Sequence, residues 1–304
     1  MSCMQRSKRI AMLMLCHTLP EQINAFISCF DPEIFEFFLH FDKKSTMQSE
    51  IVKKQNVHFV PDERRVTVRW GTFSLVQATL ELMILARNTG RFDYFWLCSG
   101  QDFPIKDSNY ISDYFAAKET NFISFVASKN YSTNGKDDTS FDKRCDIFFP
   151  LWMIRRNIIA RIVKNSYIFL TGGPNHTFYI FRRKPPMGLK LYFGSQWWCL
   201  SRISVEWILD YIRKHEEVCT FYKNTLYPDE SFFHTLIMNS PYINDIEPSL
   251  IYVKWLVNKS SPKILDETDY GSIVVSDKLL TRKIDLRVSP ALYNKLVSGY
   301  GNLE

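Results

Sequence analysis

Two short segments combine aromatic rings, a polar turn and carboxylates, the parts that a site for sugars requires. Residues 194–198 (GSQWW) place paired indoles beside a small polar turn, and residues 228–233 (PDESFF) place carboxylates beside aromatic rings. Aromatic faces stack on the apolar face of a pyranose ring. A carboxylate that is partly shielded from water accepts a proton from an attacking hydroxyl. We therefore expect these segments to belong to a site that handles carbohydrate.

Each of these residues also has a structural explanation. Pro228 suits the first position of a helix, so Glu230 falls in a first turn, where the helix dipole favours anions. Adjacent strand residues face opposite ways, so at most one of Trp197 and Trp198 is expected to line a cleft and the other to join the core. His234 follows Glu230 by four residues, but with no third metal ligand nearby we expect it to pack or hydrogen-bond.

Polar groups suited to a nucleotide occur in three further places. Residues 42–45 (DKKS) and 99–102 (SGQD) follow apolar runs and offer an acceptor and several donors for a base, ribose or phosphate. Residues 282–283 (RK) supply two fixed cations for a diphosphate. A solvated turn and an exposed basic pair would give the same patterns.

The hydrophobic pattern predicts strands and helices that alternate over the first 120 residues. The fold class is therefore α/β, with a mainly parallel central sheet flanked by helices, and functional residues of such sheets gather at the carboxyl ends of the strands. Strands are expected at 9–16, 34–41, 57–60, 92–98, 121–126, 176–182 and 251–255. Helices are expected at 20–30, from Ser74 with a capping-box spacing to Gln77, at 203–214 and at 229–239. Residues 127–150 are polar and predict a mobile loop.

Composition indicates a globular chain with a substantial core. The 304 residues are 46% apolar and 15% aromatic, and no composition shift marks a linker, so we expect one domain over 1–304. Its halves are expected to be nucleotide-binding (1–120) and acceptor-binding and catalytic (121–304). No apolar run approaches the roughly 20 residues needed to span a bilayer. The absence of P-loop, GxGxxG, GxSxG and HExxH motifs weighs against kinases, dehydrogenases, α/β-hydrolases and zincins.

Charge and cysteine usage suggest a reducing compartment and an anionic surface. Seven cysteines form no CxxC pair, which argues against a disulfide framework and a cysteine zinc site. The apolar run 10–16 is too short for a signal peptide and lacks a cleavage site, which predicts a mature cytoplasmic protein. The region 152–190 is basic and aromatic and reads as a solvated face or a contact for anionic lipid or phosphate. Its basic residues are Arg155, Arg156, Arg161, Lys164, Arg182, Arg183, Lys184 and Lys190.

Several segments, taken in order, resemble one family over residues 10 to 288. They are 14–17 (MLCH), 41–45 (FDKKS), 69–71 (RWG), 74–78 (SLVQA), 97–106 (LCSGQDFPIK), 194–197 (GSQW), 228–233 (PDESFF) and 282–285 (RKID). The set resembles the core-2/I-branching β-1,6-N-acetylglucosaminyltransferases and the related peptide O-xylosyltransferases. That resemblance implies a GT-A-like fold and transfer from a UDP-sugar with inversion at the anomeric carbon, without the metal-binding Asp-x-Asp of most such enzymes. The chain contains no Asp-x-Asp.

The resemblance also implies roles for individual residues. It assigns the general base to Glu230 and a diphosphate contact to Lys283. Xylosyltransferase-like members carry Asp where this chain has Gln196, and a neutral amide cannot be a base, which favours Glu230. Residues 230–235 (ESFFHT) nevertheless look xylosyltransferase-like. The residues expected to bind the donor are Cys16, His17, Asp42, Gln101, Asp102, Lys263, Arg282 and Lys283. The residues expected to bind the acceptor are Arg144, Gln196 and Trp197.

Together these expectations describe a metal-independent inverting glycosyltransferase that needs no cofactor. It would move a sugar, GlcNAc in first place, from a UDP-sugar to a glycan or lipid-linked glycan in polysaccharide biosynthesis. The expected location is the cytoplasm, with peripheral contact at the inner face of an anionic membrane, and no nucleic-acid partner. The alternatives are UDP-xylose as donor, a non-catalytic carbohydrate- or nucleotide-binding protein, and a glycoside hydrolase that needs no UDP.

Overall fold

The computed structural model describes residues 7–127, 132–133, 136–137, 144–150, 158–170, 172–173, 182–257 and 261–299. Its strands are β1 Ile10–Cys16, β2 Phe35–Phe41, β3 Val57–Phe59, β4 Tyr94–Ser99, β5 Phe103–Pro104, β6 Asn121–Phe122, β7 Phe125–Ala127, β8 Ser132–Thr133, β9 Lys136–Asp137, β10 Tyr192–Gly194, β11 Cys199–Ser201, β12 Ile246–Glu247, β13 Ile251–Val253 and β14 Leu280–Arg282. Its α-helices are α1 Pro20–Ser28, α2 Ser74–Thr89, α3 Ser108–Ala116, α4 Ile158–Leu170, α5 Arg202–Lys214, α6 Glu216–Lys223, α7 Phe232–Met238, α8 Tyr270–Val274 and α9 Pro290–Ser298. Short 3-10 helices include Pro228–Glu230 and Glu267–Asp269.

A seven-stranded sheet in the order β12-β6-β11-β4-β1-β2-β3 forms the centre of the fold. All neighbouring pairs in it are parallel except the two made by β11, which runs antiparallel to β4 and β6. This confirms the predicted α/β class with a mainly parallel central sheet flanked by helices. Strands from both predicted halves of the chain pair within this one sheet, while the division into halves stays a prediction.

The sheet is apolar on both faces because helices cover both. Successive residues of β1 point to opposite sides, so Met12 joins the core that contains Phe26 of α1, and Leu13 joins the core that contains Val76 of α2. All seven residues of β1 are buried. This two-sided burial accounts for the nearly continuous hydrophobic run in its sequence.

A second, three-stranded sheet in the order β13-β14-β5 lies at the carboxyl end of β4. Strand β14 pairs in parallel with β13 and antiparallel with β5. Because β5 follows β4 by only three residues, this pairing carries Arg282, the last residue of β14, to the edge of the main sheet where β4 ends. The sequence pattern did not predict β14, since its three residues (LTR) are too few for a period-2 signal.

Several predicted elements need correction. The helix expected at 229–239 is interrupted at Ser231, because a 3-10 turn precedes α7. The Ser74 to Gln77 capping box does not form; the Ser74 hydroxyl hydrogen-bonds with Thr72 and Arg69 instead. The strand expected at 251–255 ends at residue 253. Of the strand expected at 176–182, all but its final residue lies outside the described residues, as does much of the predicted loop 127–150.

Within the part of the chain that the structure describes, no helix combines the length and apolarity needed to cross a membrane. The described cysteines, Cys16, Cys29, Cys98, Cys145, Cys199 and Cys219, are free thiols. Most are buried in the two cores, where a thiol packs as a small hydrophobic group.

Candidate active site

Glu230 closes the 3-10 turn that precedes α7. The turn begins after Tyr227, which adopts a left-handed conformation at φ 49°. Glu230 is the third residue of the turn, and its side chain is partly exposed. Arg144 Nη1 donates a hydrogen bond to Glu230 Oε2 over 2.9 Å. Desolvation raises the pKa of Glu230, and the Arg144 cation opposes that rise. The carboxylate is thus partly shielded from water and held by one cation, as a general base requires.

Asp229 is a second carboxyl beside the first, in a different environment. It is 7% exposed, and its Oδ1 has no hydrogen-bond partner among the described residues. Burial, followed by the charge of Glu230, raises the pKa of Asp229 to about 7. The two adjacent carboxyls thus have unequal surroundings, and Glu230 is the one with a cation partner.

The Arg144 guanidinium lies against one aromatic ring, which a second ring from a distant segment contacts in turn. Its carbon lies 4.7 Å from the Tyr227 ring centroid, and the exposed Trp70 meets the same ring edge-on at 4.8 Å. Gly71 allows this approach, because a Cβ there would lie 2.8 Å from Tyr227 Cε1. Sequence reasoning did not assign Trp70 or Tyr227 to the site. Trp70 belonged to a segment matched to the family, and nothing in the sequence singled out Tyr227.

Ser231 fixes the chain directly after the base. Its hydroxyl donates to the Tyr192 carbonyl at 2.9 Å and lies 3.0 Å from the Tyr222 hydroxyl. The Tyr222 hydroxyl also donates to Thr235 Oγ1 at 2.9 Å. All of these groups are buried, so the network ties the start of α7 to β10 and α6.

Residues 194–198 contact both α7 and the cationic end of β14. Gly194 packs so tightly that a Cβ would lie 2.7 Å from His234 Nε2, and Trp198 contacts Phe233 with ring centroids 5.0 Å apart. Between these two residues, Trp197 lies against the Arg282 guanidinium, whose carbon is 3.8 Å from the ring centroid. Trp198 and His234 are buried, which confirms their predicted packing roles.

Arg282 is a buried cation held between a ring and a carboxylate. It is 4% exposed, and its Nη1 lies 3.4 Å from Asp102 Oδ1. Its Nε and Nη1 have no hydrogen-bond partner in the described residues. Asp102 is fully buried, accepts a hydrogen bond from Ser99 N and faces Arg282. Its predicted contact with the donor stays a prediction.

Lys283 and His17 lie beside Arg282 where β1, β4 and β14 end. Burial and the Arg282 charge lower the pKa of Lys283, and desolvation together with both cations lowers the pKa of His17. Gln101 joins this group through its carbonyl, which accepts from Ile284 N at 2.9 Å. The side chain of Cys16 does not, because it is buried and its thiol points to the Met14 carbonyl. The predicted donor contact of Cys16 stays a prediction.

Lys263 reaches the same neighbourhood, but its charge is already neutralised. Its backbone lies beside Lys283, whose N–H donates to the Lys263 carbonyl at 3.4 Å. Its ammonium lies 2.7 Å from carboxylate oxygens of both Asp266 and Asp269. The buried Asp269 also binds Lys254 at 2.6 Å. The sequence Glu267-x-Asp269 is the pattern in this chain most like a metal-binding Asp-x-Asp. Its aspartate forms ion pairs with two lysines.

Asp42 stands at the end of β2 with its carboxylate engaged by backbone. Lys44 N donates to Oδ1 at 2.8 Å and Val68 N donates to Oδ2 at 2.7 Å. This arrangement fixes the loop after β2 beside the segment before α2. Its predicted contact with a uridine stays a prediction.

The remaining predicted residues fall in several places. Gln196 is partly buried, and its Nε2 has no hydrogen-bond partner among the described residues. Arg183 is not part of a basic surface: it donates to the carbonyls of Cys145 and Phe221 and to the Thr225 hydroxyl. Residues 155 and 156, two further arginines assigned to that surface, lie outside the described residues.

The structure offers a partly shielded carboxylate at Glu230 and cations at Arg282 and Lys283, and segment 194–198 contacts both the helix after Glu230 and the Arg282 guanidinium. A hydroxyl that loses its proton at Glu230 could attack a centre whose leaving group carries negative charge toward Arg282 and Lys283. Among the described residues no group of three or more His, Cys, Asp or Glu side chains is placed to hold a metal ion.

Comparisons with known proteins agree with this chemistry. A family model described as Core-2/I-Branching enzyme matches residues 10–275. Xylosyltransferase 1 of Rattus norvegicus is 25% identical over 231 residues, and that of Homo sapiens is 27% identical over 232 residues, each match covering 72% of this chain. Xylosyltransferase 2 of Rattus norvegicus is 27% identical over 244 residues and 77% of the chain.

These stretches make up 24%, 21% and 25% of the three relatives, so the chain spans about a quarter of their length. The apo structure of the WbbM bifunctional glycosyltransferase aligns with 98% of this chain and 50% of its own, at 10% identity and a TM-score of 0.41. A likeness at that level carries no argument about either fold or function.

Proposed function

This chain belongs to the core-2/I-branching enzyme family, and from that premise we propose that it is an inverting glycosyltransferase using a UDP-sugar donor. The observation that carries the proposal is the span of residues 194–198. Gly194 of this segment packs on His234 of α7, the helix that follows Glu230, and Trp197 packs on Arg282. The segment therefore contacts both the helix beside the proposed base and the cation next to Lys283.

The proposed reaction is a single displacement. Glu230 takes the proton from an acceptor hydroxyl, the resulting oxygen forms a bond to the anomeric carbon, and the bond from that carbon to the diphosphate oxygen breaks. The electron pair leaves with UDP, where the charges of Lys283 and Arg282 stabilise it. Attack from the face opposite UDP inverts the anomeric centre and gives a β linkage.

Fixed cations support a metal-independent mechanism. A diphosphate leaving group needs positive charge close to it, and basic side chains supply that charge without a metal. Lys283 and Arg282 lie at the carboxyl ends of the strands, the edge at which open α/β sheets bind ligands. Lys263, neutralised by two aspartates, serves as a neighbour of Lys283 rather than as a second independent cation.

UDP-N-acetylglucosamine is the donor that we propose first. UDP-xylose is the second candidate, because relatives that match most of the chain carry the name xylosyltransferase. Gln196 separates this chain from the Asp of xylosyltransferase-like members and supports the first candidate. We propose a glycan or lipid-linked glycan as acceptor, with Arg144, Gln196 and Trp197 on its side of the site.

The proposed setting is the synthesis of polysaccharide in the cytoplasm, with the enzyme in peripheral contact with the inner face of the membrane. The exposed Arg182 and Lys184 support that contact. Of the basic residues first assigned to it, Arg183 is internal and does not contribute.

Calorimetric titration tests the proposal. UDP, UDP-N-acetylglucosamine, UDP-xylose and UDP-glucose are each added in the presence of EDTA and again with excess manganese. We expect one UDP-sugar to bind selectively and with the same affinity in both conditions, which identifies the donor. Binding that requires manganese would overturn metal independence. Failure of every nucleotide to bind would return the protein to the hydrolase or carbohydrate-binding alternatives.

A further inference from the structure

Helix α4 carries an unusual amount of apolar side chain in contact with solvent. It spans Ile158–Leu170, and within the described residues it holds the largest group of exposed large hydrophobic side chains. Their exposed fractions are 68% for Ile158, 72% for Ile159, 59% for Ile162, 49% for Val163, 83% for Phe169 and 80% for Leu170. Scattered single hydrophobic residues on a surface need no explanation, but a contiguous group marks a contact site.

These six side chains lie on one face of the helix. At 100° per residue, they fall within an arc of about 140°. The opposite arc holds Lys164, Tyr167 and Ile168, which are only partly exposed and so face the body of the protein. The apolar face therefore points outward, and burying it within the protein would require turning the helix over.

The charge of the surrounding chain indicates what covers this face. Residues 151–190 contain eight lysines and arginines and no aspartate or glutamate, although the whole chain has 32 acidic residues. Arg161 is exposed on α4 at the edge of the apolar arc, and Arg182 and Lys184 are exposed where the described chain resumes. An apolar helix face bordered by cations and free of acidic residues complements an anionic lipid surface.

We propose that α4 lies in the interface of an anionic bilayer, with its apolar face among the acyl chains and Arg161 at the phosphates. Thirteen residues form a helix of about 20 Å, too short to cross a hydrocarbon core of about 30 Å, so the helix lies in the plane of the membrane. The long Arg161 side chain reaches the headgroups along the helix surface. This inference deepens the peripheral membrane contact proposed above and does not depend on sugar transfer.

Vesicle co-sedimentation tests the apolar face. The full chain is mixed with phosphatidylcholine vesicles that contain either no phosphatidylglycerol or about 30% of it. With this composition about one lipid in three is anionic, a level that attracts basic segments. We expect binding to the anionic vesicles alone. The triple variant Ile159→Ser, Phe169→Ser, Leu170→Ser should bind at least about 100-fold more weakly, since it removes three large inserted side chains. The control triple Val257→Ser, Val275→Ser, Val288→Ser removes equally exposed side chains elsewhere and should bind as the parent does.

A second pair of variants tests the charges. Arg161→Gln should weaken binding roughly 5-fold, the effect of removing one basic residue from an anionic surface. Arg213→Gln makes the same change in net charge at an exposed position of α5 and should bind normally. Raising the salt concentration should weaken parent binding and have less effect on the Arg161 variant.

Several outcomes would overturn the proposal. They are no binding to anionic vesicles by the folded parent, equal binding to both vesicle types, or equal losses in the test and control variants. Parent protein that ignores vesicles but self-associates through α4 in sedimentation equilibrium would assign the face to protein contact instead. Each readout is independent of UDP-sugar binding, so a failure here leaves the transferase proposal standing, and a failure of nucleotide binding leaves this one standing.

Discussion

Arg144 and Glu230 meet across 86 residues of sequence in a 2.9 Å hydrogen bond between Nη1 and Oε2. The pair is only partly exposed, with 22% of the arginine and 36% of the glutamate side chain accessible. Desolvation raises the pKa of this glutamate and the arginine lowers it. Arg144, which sequence analysis assigned only to acceptor binding, therefore also favours the ionised form of the proposed base.

Replacing the proposed base tests its role directly. Glu230→Gln keeps the shape of the side chain and removes its capacity to accept a proton, so the transfer rate should fall by about 10³-fold or more, within the range for general-base catalysis. UDP binding should be unchanged by calorimetry, because the diphosphate contacts are elsewhere. Glu217→Gln on the exposed face of α6 is the matched control. Normal turnover by Glu230→Gln would reject the mechanism.

The ion pair predicts a change in the pH profile. A base must be ionised, so kcat rises with pH through the pKa of Glu230 in the substrate complex. Arg144→Gln removes the cation that lowers this pKa, and the rising limb should move to higher pH. Arg144→Lys retains a cation and should give a limb closer to that of the parent. A purely structural arginine would reduce the rate at every pH without moving the limb.

The raised pKa of Asp229 predicts that the free energy of unfolding falls as pH rises. Its pKa is about 7 in the folded protein and 3.8 as the ordinary value. Between these values the folded chain holds a proton that the unfolded chain has released. The free energy of unfolding from this group should therefore fall by up to about 1.4 kcal/mol per pH unit from about pH 4 to 7.

Asp229→Asn removes this titration. Its unfolding free energy relative to the parent, from urea melts, should increase steadily from pH 4 to 7 and level off above it. Asp277→Asn, at an exposed position, controls for the loss of one carboxyl. A constant difference across that range would show that Asp229 does not hold its proton in the fold.

The charge and the lowered pKa of Lys283 predict the strength and the pH dependence of UDP binding. Lys283→Gln should weaken binding by about 10- to 100-fold, since a charge-assisted contact to a phosphate contributes about 1.5 to 3 kcal/mol. Because its pKa is lowered, affinity in the parent should begin to fall at a pH below the ordinary lysine range. Lys283→Arg should bind at alkaline pH without that fall. Lys278→Gln is the control, and an equal loss there would remove the assignment.

The close packing around Gly194 predicts that a larger side chain there lowers the free energy of unfolding. A Cβ at this position would lie 2.0 Å from the Ser124 carbonyl oxygen and 2.7 Å from His234 Nε2. Gly194→Ala should therefore lower the free energy of unfolding by about 3 kcal/mol or more, as the backbone of β10 must shift. Gly271→Ala has nothing within 4 Å and should be neutral or slightly stabilising in a helix. Equal melts for the two variants would contradict the close approach.

The main sheet could be predicted from sequence because its signals are local. Strands β1, β2 and β4 are long apolar runs that end in polar turns, and α1, α2 and α5 show helical periodicity. The short strands β14 and β10 have no such signal, since three residues carry too little pattern. They form because they pair with strands that are distant in the sequence, β10 with β7 and β14 with β5.

The site residues Glu230, Lys283 and Trp197 were assigned from segments that resemble the family. Their contacts could not be predicted from those segments, because Glu230 meets Arg144 and Trp197 meets Arg282 across long stretches of sequence. The burial of Asp102 and Cys16 was not expected, because side-chain direction at a strand end depends on what packs around it. Tyr227 escaped notice because its place on Arg144 depends on three separate segments meeting.

The hydroxyl of Ser231 couples the position of the base to the packing of the core. It joins the Tyr192 carbonyl and the Tyr222 hydroxyl directly beside Glu230. A substitution in this network changes the packing of α7 and the position of the carboxylate together. A buried change at position 222 or 235 is therefore expected to alter the site without touching any of its exposed side chains.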